Sequence, residues 1–374
     1  MNIHLVRHNK DRKDFVEAAY NIYKDDPNWI PILDQNIHQT FSPDQNPYYS
    51  HGIAERWILK DKNQNLIGRI AAFINYNKWE KDGKKVGGIG FFDCIDNQEA
   101  ADLMFNEASQ WLASQKADTI EGPINFGENN EYWGLLVEGF SEPTYGMNYH
   151  LPYYQRLFED YGFEKKYEQY TNELDLTSPF PARFEKIALW IERKPNYSIK
   201  KLDTSKLEIF AKDFVFIYNQ AWKDHQDFNE LKEEDILKAF VKMKSAIDVN
   251  LILFAYDNDQ PIGFFVGIPD LNQIFKRFNG KLNIINKLRF VYLKNKRVID
   301  RVKIMIMGII PDYQEKGIDA ALIMNAVKSA QANGQYKKVE LSWVGDFNPK
   351  MISLHEATGA VRNRTHITYQ KHIA

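Results

Sequence analysis

The sequence predicts an α/β (α+β) fold: two tandem domains, each a mixed, mostly antiparallel sheet flanked by helices. Three observations predict it. The order of strand-like and helix-like stretches in the first half returns, nearly unchanged, in the second. Between the halves lies TSPFPA (177–182), whose two prolines interrupt regular structure. Residues 301–334 read as a buried strand, a glycine-containing turn and a helix. The domains are placed at 1–180 and 195–374, the second carrying an insertion at 269–300.

In the first half, residues 2–7 alternate as a short strand. From Asp11 to Tyr23, Phe15, Ala18, Ala19 and Ile22 fall on one helical face, and Asp26 and Pro27 stop the run. A short helix is expected over 31–40. Strands over 52–61 and 65–76 flank the turn-like DKNQN as a hairpin. GGIGFFDCI (87–95) is a third strand. Asp96 or Asn97 caps a helix running to about Gln115, with Leu103, Met104, Ala108, Trp111 and Leu112 inward. A short strand at 118–121, an aromatic loop, a helix from Tyr153 to Tyr161 ended by Gly162, and two closing strands over 163–176 complete the copy.

The second half gives a strand at Tyr197–Leu202, helices at Lys206–Ala221 and Glu233–Met243, and a hairpin of Asn250–Tyr256 and Pro261–Ile268 around DNDQ. The insertion follows. From Ile304 to Ile310 the residues are apolar and partly β-branched, as a buried strand requires. Pro311 and Asp312 end it. Gly317 opens a run with Ile318, Ala321, Leu322, Met324 or Asn325, and Val327 at helical spacing, and Gly334 closes it. The helix start leaves backbone N–H groups unpaired at the positive end of the dipole, which favours a phosphate or pyrophosphate. Lys338–Trp343 is a strand, Pro349–Thr358 a helix ended by Gly359, and 360–371 the closing strands.

Composition is that of a globular protein: 374 residues, 44% hydrophobic, 26% charged. Aromatics at 14% indicate a densely packed interior or aromatic-lined grooves. A net charge of −2 makes no case for nucleic acid, so no DNA partner is expected. One cysteine, Cys94, forbids an internal disulfide and fits a reducing compartment. No apolar run reaches the roughly 20 residues of a membrane span, and no secretory core is seen at the N-terminus. The expected location is cytoplasmic. No metal-ligand spacing is found.

The stretch Gln314–Ala320 resembles the acyl-CoA motif of the GNAT acetyltransferase superfamily. There a Gln or Arg is followed three residues later by Gly, and two after that by Gly or Ala. Gln314 and Gly317 fit. Asp319 stands where Gly or Ala is expected, and its carboxylate could repel a pyrophosphate or cap the helix and point away. The resemblance implies that Gln314, Glu315, Lys316, Gly317, Ile318, Asp319 and Ala320 hold the pyrophosphate. It implies that Met307, Gly308 and Ile309 present backbone to thioester and pantetheine, with acetyl-CoA or another acyl-CoA as cosubstrate. A glycine at 308 also accommodates a neighbouring side chain.

The element order of both halves is that of the same family. Asn348, Leu354, His355, Glu356, Gly359 and Ala360 follow the pattern after the strand Glu340–Trp343, with His355 where the family usually has Tyr. His355 is thus the candidate acid for the departing thiolate. Glu340, on the neighbouring strand, is the candidate base, directly or through water. Asn348 holds pantetheine or caps the helix beginning at Pro349. In the first copy Phe158 takes the Tyr position and cannot donate a proton. The Gln/Arg–Gly motif is replaced by DCIDNQEAAD, where Asp93, Asp96 and Glu99 disfavour a pyrophosphate. One cofactor site is expected, in the second half, and the first domain reads as degenerate. Tandem copies also resemble, in architecture, the Fem-type aminoacyl transferases and N-myristoyltransferase.

Two stretches lie outside that pattern. The loop EGPINFGENNEYWGLLVEGF (121–140) mixes Asn125, Glu128, Asn130 and Glu131 with Tyr132 and Trp133, a set suited to a polar or cationic substrate. If the halves face one another, it supplies the acceptor side; otherwise it is a surface loop with an aromatic anchor. Residues 274–303 hold ten Lys or Arg against one acid, Asp300, interleaved with apolar residues. That segment could meet an acidic carrier protein, an anionic lipid surface or RNA, or cover the sheet as a solvated helical hairpin. Three functions stay open. The first is acyl-CoA-dependent N-acyl transfer to a small polar amine. The second is a non-catalytic protein that binds a metabolite or partner, and the third is a carrier- or tRNA-dependent acyl or aminoacyl transferase. Oligomeric state is left open.

Overall fold

The computed structural model describes residues 1–223 and 230–373, with the backbone alone at 80–82. Its first half runs β1 (Asn2–Leu5), α1 (Asn9–Ile22), α2 (Asp34–Thr40), β2 (Gly52–Lys60), β3 (Leu66–Asn75), α3 (Tyr76–Asp82), β4 (Val86–Cys94), α4 (Gln98–Ser114), β5 (Thr119–Gly122), β6 (Leu135–Glu138), α5 (Tyr154–Asp160) and β7 (Glu164–Asp175). The second runs α6 (Ala182–Glu192), β8 (Tyr197–Lys201), α7 (Leu207–Trp222), α8 (Glu233–Met243), β9 (Ile252–Asp257), β10 (Gln260–Pro269), α9 (Asn272–Phe275), α10 (Ile284–Asn295), β11 (Arg301–Ile309), α11 (Ile318–Asn333), β12 (Lys338–Glu340), β13 (Val344–Gly345), α12 (Pro349–Ala357) and β14 (Val361–His372).

Most expected elements stand where their periodicity placed them. The face of α1 buries Phe15, Val16, Ala18 and Ala19. Asn97, not Asp96, caps α4, its side chain accepting from the Ala100 N–H at 2.8 Å. Several expectations need correction. Residues 163–176 and 360–371 each form one long strand, β7 and β14, instead of pairs. The linker holds a helix, α6. The short elements α3, β6 and β13 were not foreseen, because runs of two to seven residues carry little periodicity.

The described strands form one sheet, in the order β1-β2-β3-β4-β5-β14-β7-β12-β11-β10-β9-β8, with β6 paired to β14 and β13 to β7. The halves exchange their closing strands. β7 leaves the first half to pair with β12 (Leu174 opposite Val339), and β14 returns from the second to pair with β5 (Tyr369 opposite Gly122). β7 and β14 pair with each other along Glu164–Glu173 and Val361–Gln370. The cores follow: Leu174 and Leu176 pack in the second half's core, Ile367 and Tyr369 in the first's. In each half two strands run parallel, β4 with β5 and β11 with β12, and these parallel pairs carry the site argument.

Candidate active site at the junction of the two halves

β11 and β12 pair only at Arg301–Lys338, Val302–Val339 and Lys303–Glu340. From Ile304 to Ile309 the edge of β11 has no ladder partner on that side among the described residues, while its other edge stays paired to β10. Backbone groups along this edge therefore lack a strand partner, the Ile309 carbonyl being taken by Gln314, and Met307 and Ile309 lie half-buried beside them. Gly308 answers a packing need. A Cβ there would stand 2.5 Å from the Trp222 ring, which rests on that face.

β11 leads into the expected turn. Gln314 donates to the Ile309 carbonyl at 3.2 Å and ties the turn to the strand end. Glu315 and Gly317 take left-handed backbone, φ 60° and 85°. Ile318 starts α11, whose N-terminus receives no side-chain cap. The first-turn N–H groups are thus available to an anion. Asp319 sits in that first turn, makes no hydrogen bond among the described residues, and brings a competing negative charge. Lys350 pairs with Glu315 at 3.5 Å with both side chains exposed, so that contact contributes little.

Where the parallel pair ends, a buried charge network crosses the junction. Glu340 is fully buried, accepting from Thr144 and pairing with Arg364. Burial would raise its pKa, but Arg364, Lys303 and the Thr144 hydroxyl outweigh this, and the carboxyl is held below its usual value. Glu340 therefore has both oxygens engaged and is held in its charged form near neutral pH, unlike the free base expected at this position. Arg364 also reaches the Glu142 carbonyl at 2.7 Å and Ser141 at 3.0 Å. Lys303 is buried and donates to the Tyr145 carbonyl at 2.7 Å, and burial lowers its pKa. Arg301 clasps Asp270 at 2.9 and 2.7 Å, and Asp270 accepts from the Tyr145 N–H at 2.9 Å. The sequence offered one signal for this network, a lysine interrupting the apolar run of β11.

The loop at 121–140 reaches this junction. Asn129 accepts from the Trp343 indole at 3.0 Å, so the loop lies against the second half. Glu131 and Lys303 converge above Gly146: a Cβ there would lie 3.2 Å from Glu131 Cγ and 3.5 Å from Lys303 Nζ. Burial raises the Glu131 pKa, with Lys303 opposing, and the carboxyl makes no hydrogen bond among the described residues. Tyr132 adopts φ 52° and donates its N–H to the Gly146 carbonyl at 2.7 Å. Trp133 is a buried anchor bonded to the Tyr167 hydroxyl at 3.0 Å, and Glu128 and Asn130 lie on the surface. Of the six loop residues expected at a site, Glu131 faces the network, and Asn125 and Tyr132 line a cleft in the first half.

His355 is buried on α12, where its Nδ1 lies 2.9 Å from the Asn172 amide of β7. Burial lowers its pKa to about 4, so the ring is neutral near pH 7. With Nδ1 accepting from the amide, the other nitrogen carries hydrogen and can donate a hydrogen bond. That neutral ring differs from the acid expected at this position, which would titrate near neutral pH. Asn348 caps α12, accepting from the Met351 N–H at 3.2 Å.

The first half's own parallel pair parts after Gly88 and Glu121, but the gap is closed by chain. The Ile124 N–H donates to the Ile89 carbonyl at 2.8 Å, and the Ile124 carbonyl fills the place of a Cβ at Gly90. Beside this plug lies the cleft, with Arg69, Asp93, Asn125, Tyr132, Asn148 and Asn272 among apolar walls. It is narrow: about 60 Å³ admits the centre of a water molecule, within about 800 Å³ that includes the mouth. Asp93 accepts from Arg69 at 2.6 Å and from the Tyr23 hydroxyl at 2.8 Å, and Asn125 Oδ1 is buried with no partner among the described residues.

Residues 208–360 match the model of the acetyltransferase (GNAT) family. The chain is 28% identical to Protein YghO of Escherichia coli (strain K12), covering 97% of this chain and 93% of that protein. It is 24% identical to the bacterial ceramide synthase of Caulobacter vibrioides, covering 96% and 94%. A solved tandem GNAT protein from the clavulanic acid biosynthesis pathway superposes with TM-score 0.58 at 10% identity, over 99% of this chain and 98% of that one. A GCN5-related glucosamine N-acetyltransferase region of a fungal multi-domain β-N-acetylglucosaminidase gives TM-score 0.60 at 12% identity; it matches 99% of this chain, which spans only 38% of that solved chain. The family match thus falls on the half that carries the parting parallel strands and the glycine turn, and the two-copy sheet as a whole has the fold of the solved tandem GNAT protein.

Proposed function

We propose that this chain is an N-acyltransferase that moves an acyl group from acyl-CoA to an amine at the junction of its halves. The observation that carries the reading is the first half's loop lying against Trp343, just past the point where β12 parts from β11, in the half that bears the family motif. The donor supplies a thioester-activated acyl group. Backbone of Gln314–Ala320 holds its pyrophosphate, and the edge of Met307, Gly308 and Ile309 its pantetheine. The uncapped N-terminus of α11 fits such a group, while the charge of Asp319 opposes it. The amine nitrogen attacks the carbonyl carbon, the C–S bond breaks with its electron pair on sulfur, and the CoA thiolate leaves and takes up a proton from water. The amine proton passes to Glu131, whose raised pKa makes it a better base than the locked Glu340. His355 donates a hydrogen bond from its neutral ring.

The acceptor is best read as an amphiphilic amine. A ceramide carries its acyl group on the nitrogen of a long-chain amino alcohol, and the relative of that name matches this chain over nearly its whole length. The narrow cleft in the first half presents polar groups, including Asn125 Oδ1, which has no partner among the described residues, and its size suits the polar amine head, not the long chain. A non-catalytic binding role is the rival reading, and Asp319 is the observation on its side.

The test is to incubate the full chain with a long-chain acyl-CoA and either a long-chain amino alcohol or a small polyamine. Thiol release and amide product are then followed together. One thiol per amide is expected, with the amino alcohol preferred. Glu131→Gln should lower turnover about a hundredfold at pH 7. No thiol release with either amine, from protein that still binds acyl-CoA by calorimetry, would favour the non-catalytic reading.

A further inference from the structure

The basic insertion leaves one face of α10 bare. Ile284, Ile285, Leu288, Val291 and Tyr292 are between 54% and 70% exposed. At 100° per residue they share an arc of about 120° on one side of the helix. Exposed Lys287 borders that arc on one edge and exposed Lys296 on the other; Lys294, on the first edge, donates to the Ser245 and Ile247 carbonyls, and Arg289, on the second, is held at 3.2 Å by Asn286. No acidic residue occurs between Asp270 and Asp300.

The opposite face is already anchored. Asn286 is buried and donates to the Lys281 carbonyl at 2.6 Å, Phe290 packs on Phe275 at 5.8 Å between centroids, and Arg289 lies over Phe278. Asn283 caps the helix through the Asn286 N–H at 3.0 Å. The outward apolar residues are thus displayed by a preformed helix. The segment leading to α10 is clamped to the first half beside the cleft. Asp34 donates its N–H to the Gly280 carbonyl at 2.9 Å, and the Tyr20 hydroxyl reaches the Asn279 carbonyl at 3.1 Å. Tyr20 and Asn272 line the cleft itself.

We propose that α10 is an interfacial helix that docks the protein on an anionic lipid surface. An apolar arc bordered on both edges by cations is the pattern of a helix lying in the plane of a membrane interface. Charge decides between occupants. A second copy meeting the same face about a two-fold axis would bring two cationic borders together. An acidic lipid surface satisfies the cations and takes up the apolar side chains at once. No described helix is long and apolar enough to cross a membrane, so the contact is with the surface. The inference does not depend on the transfer reaction, because docking needs no turnover.

The test is co-sedimentation of the full chain with vesicles of phosphatidylcholine alone or with about one third phosphatidylglycerol. Binding is expected to the anionic vesicles and to fall as salt rises. The double variant Leu288→Asp, Val291→Asp, at exposed positions, should weaken it at least about tenfold. Lys287→Glu should weaken it about fivefold or more. Unchanged circular dichroism keeps these losses meaningful. Failure of the wild type to bind either vesicle, or equal binding by the double variant, would overturn the proposal. So would a dimer of the wild type dispersed by Leu288→Asp, or capture of an acidic acyl carrier protein in place of vesicles.

Discussion

Glu340 and Arg364 show how a residue's role depends on partners that sequence spacing does not reveal. Its place on the neighbouring strand pointed to Glu340 as a base, but its partners are 24 and 196 residues away. Its depressed pKa fixes the sign of its contribution to stability. That contribution is present above the unfolded value of 4.5 and is lost as pH falls through the lower folded value. Arg364→Leu should strand a buried carboxylate and destabilise the protein by about 3–5 kcal/mol. Replacing both residues by apolar ones should restore most of that loss, since the pair carries a desolvation cost of its own. Urea unfolding of the two single variants and the double variant measures the coupling. A double variant no more stable than Arg364→Leu would mean that Thr144 and Lys303 hold the network by themselves.

At the scale of elements, the strand, turn and helix over 301–334 were the most legible part of the chain, because an apolar run, two glycines and a helical period agree. What the period missed was the breadth of α11's buried surface. Ala320, Ala326 and Ala330 are buried along with the expected Ile318, Ala321, Leu322, Met324 and Val327, as α6 packs against this helix. The same packing constrains tests of the anion site. Gly317 has φ 85°, and a Cβ there would meet Ile187 of α6 at 2.6 Å. Gly317→Val should therefore unfold the turn as well as weaken binding, so a lost affinity there says nothing specific about phosphate. Asp319 is the cleaner probe. Asp319→Gly removes a charge from the helix N-terminus and should tighten acyl-CoA binding about threefold or more by calorimetry. Unchanged affinity would show that the carboxylate points away from the ligand. The first half's glycines were legible only as a strand; that Gly90 makes room for the Ile124 carbonyl, and so closes a second site, required coordinates.

For the whole molecule, the sequence repeat revealed two copies but not that they share a sheet. Strand pairing between residues nearly 200 positions apart leaves no periodic trace, whereas each strand's own pattern does. The exchange of β7 and β14 makes each half incomplete alone, and three buried histidines stand at the seam. His366 lies on β14 and meets the Asn148 carbonyl, and His150 accepts from the Leu136 N–H of β6, which pairs with β14. His355 meets Asn172 of β7. Burial holds their pKa values at about 4, 3 and 4, below the unfolded 6.5. The unfolded chain therefore binds more protons between those limits, so stability is full above pH 6.5 and falls as pH drops toward 4. The slope is roughly 1.4 kcal/mol per pH unit for each histidine. Calorimetry should show one transition at pH 7.5, not two, and that single transition should move to lower temperature between pH 6.5 and 4. His366→Gln should flatten part of the slope without dividing the transition. Two separate transitions at pH 7.5 would mean that the halves fold independently despite the shared strands.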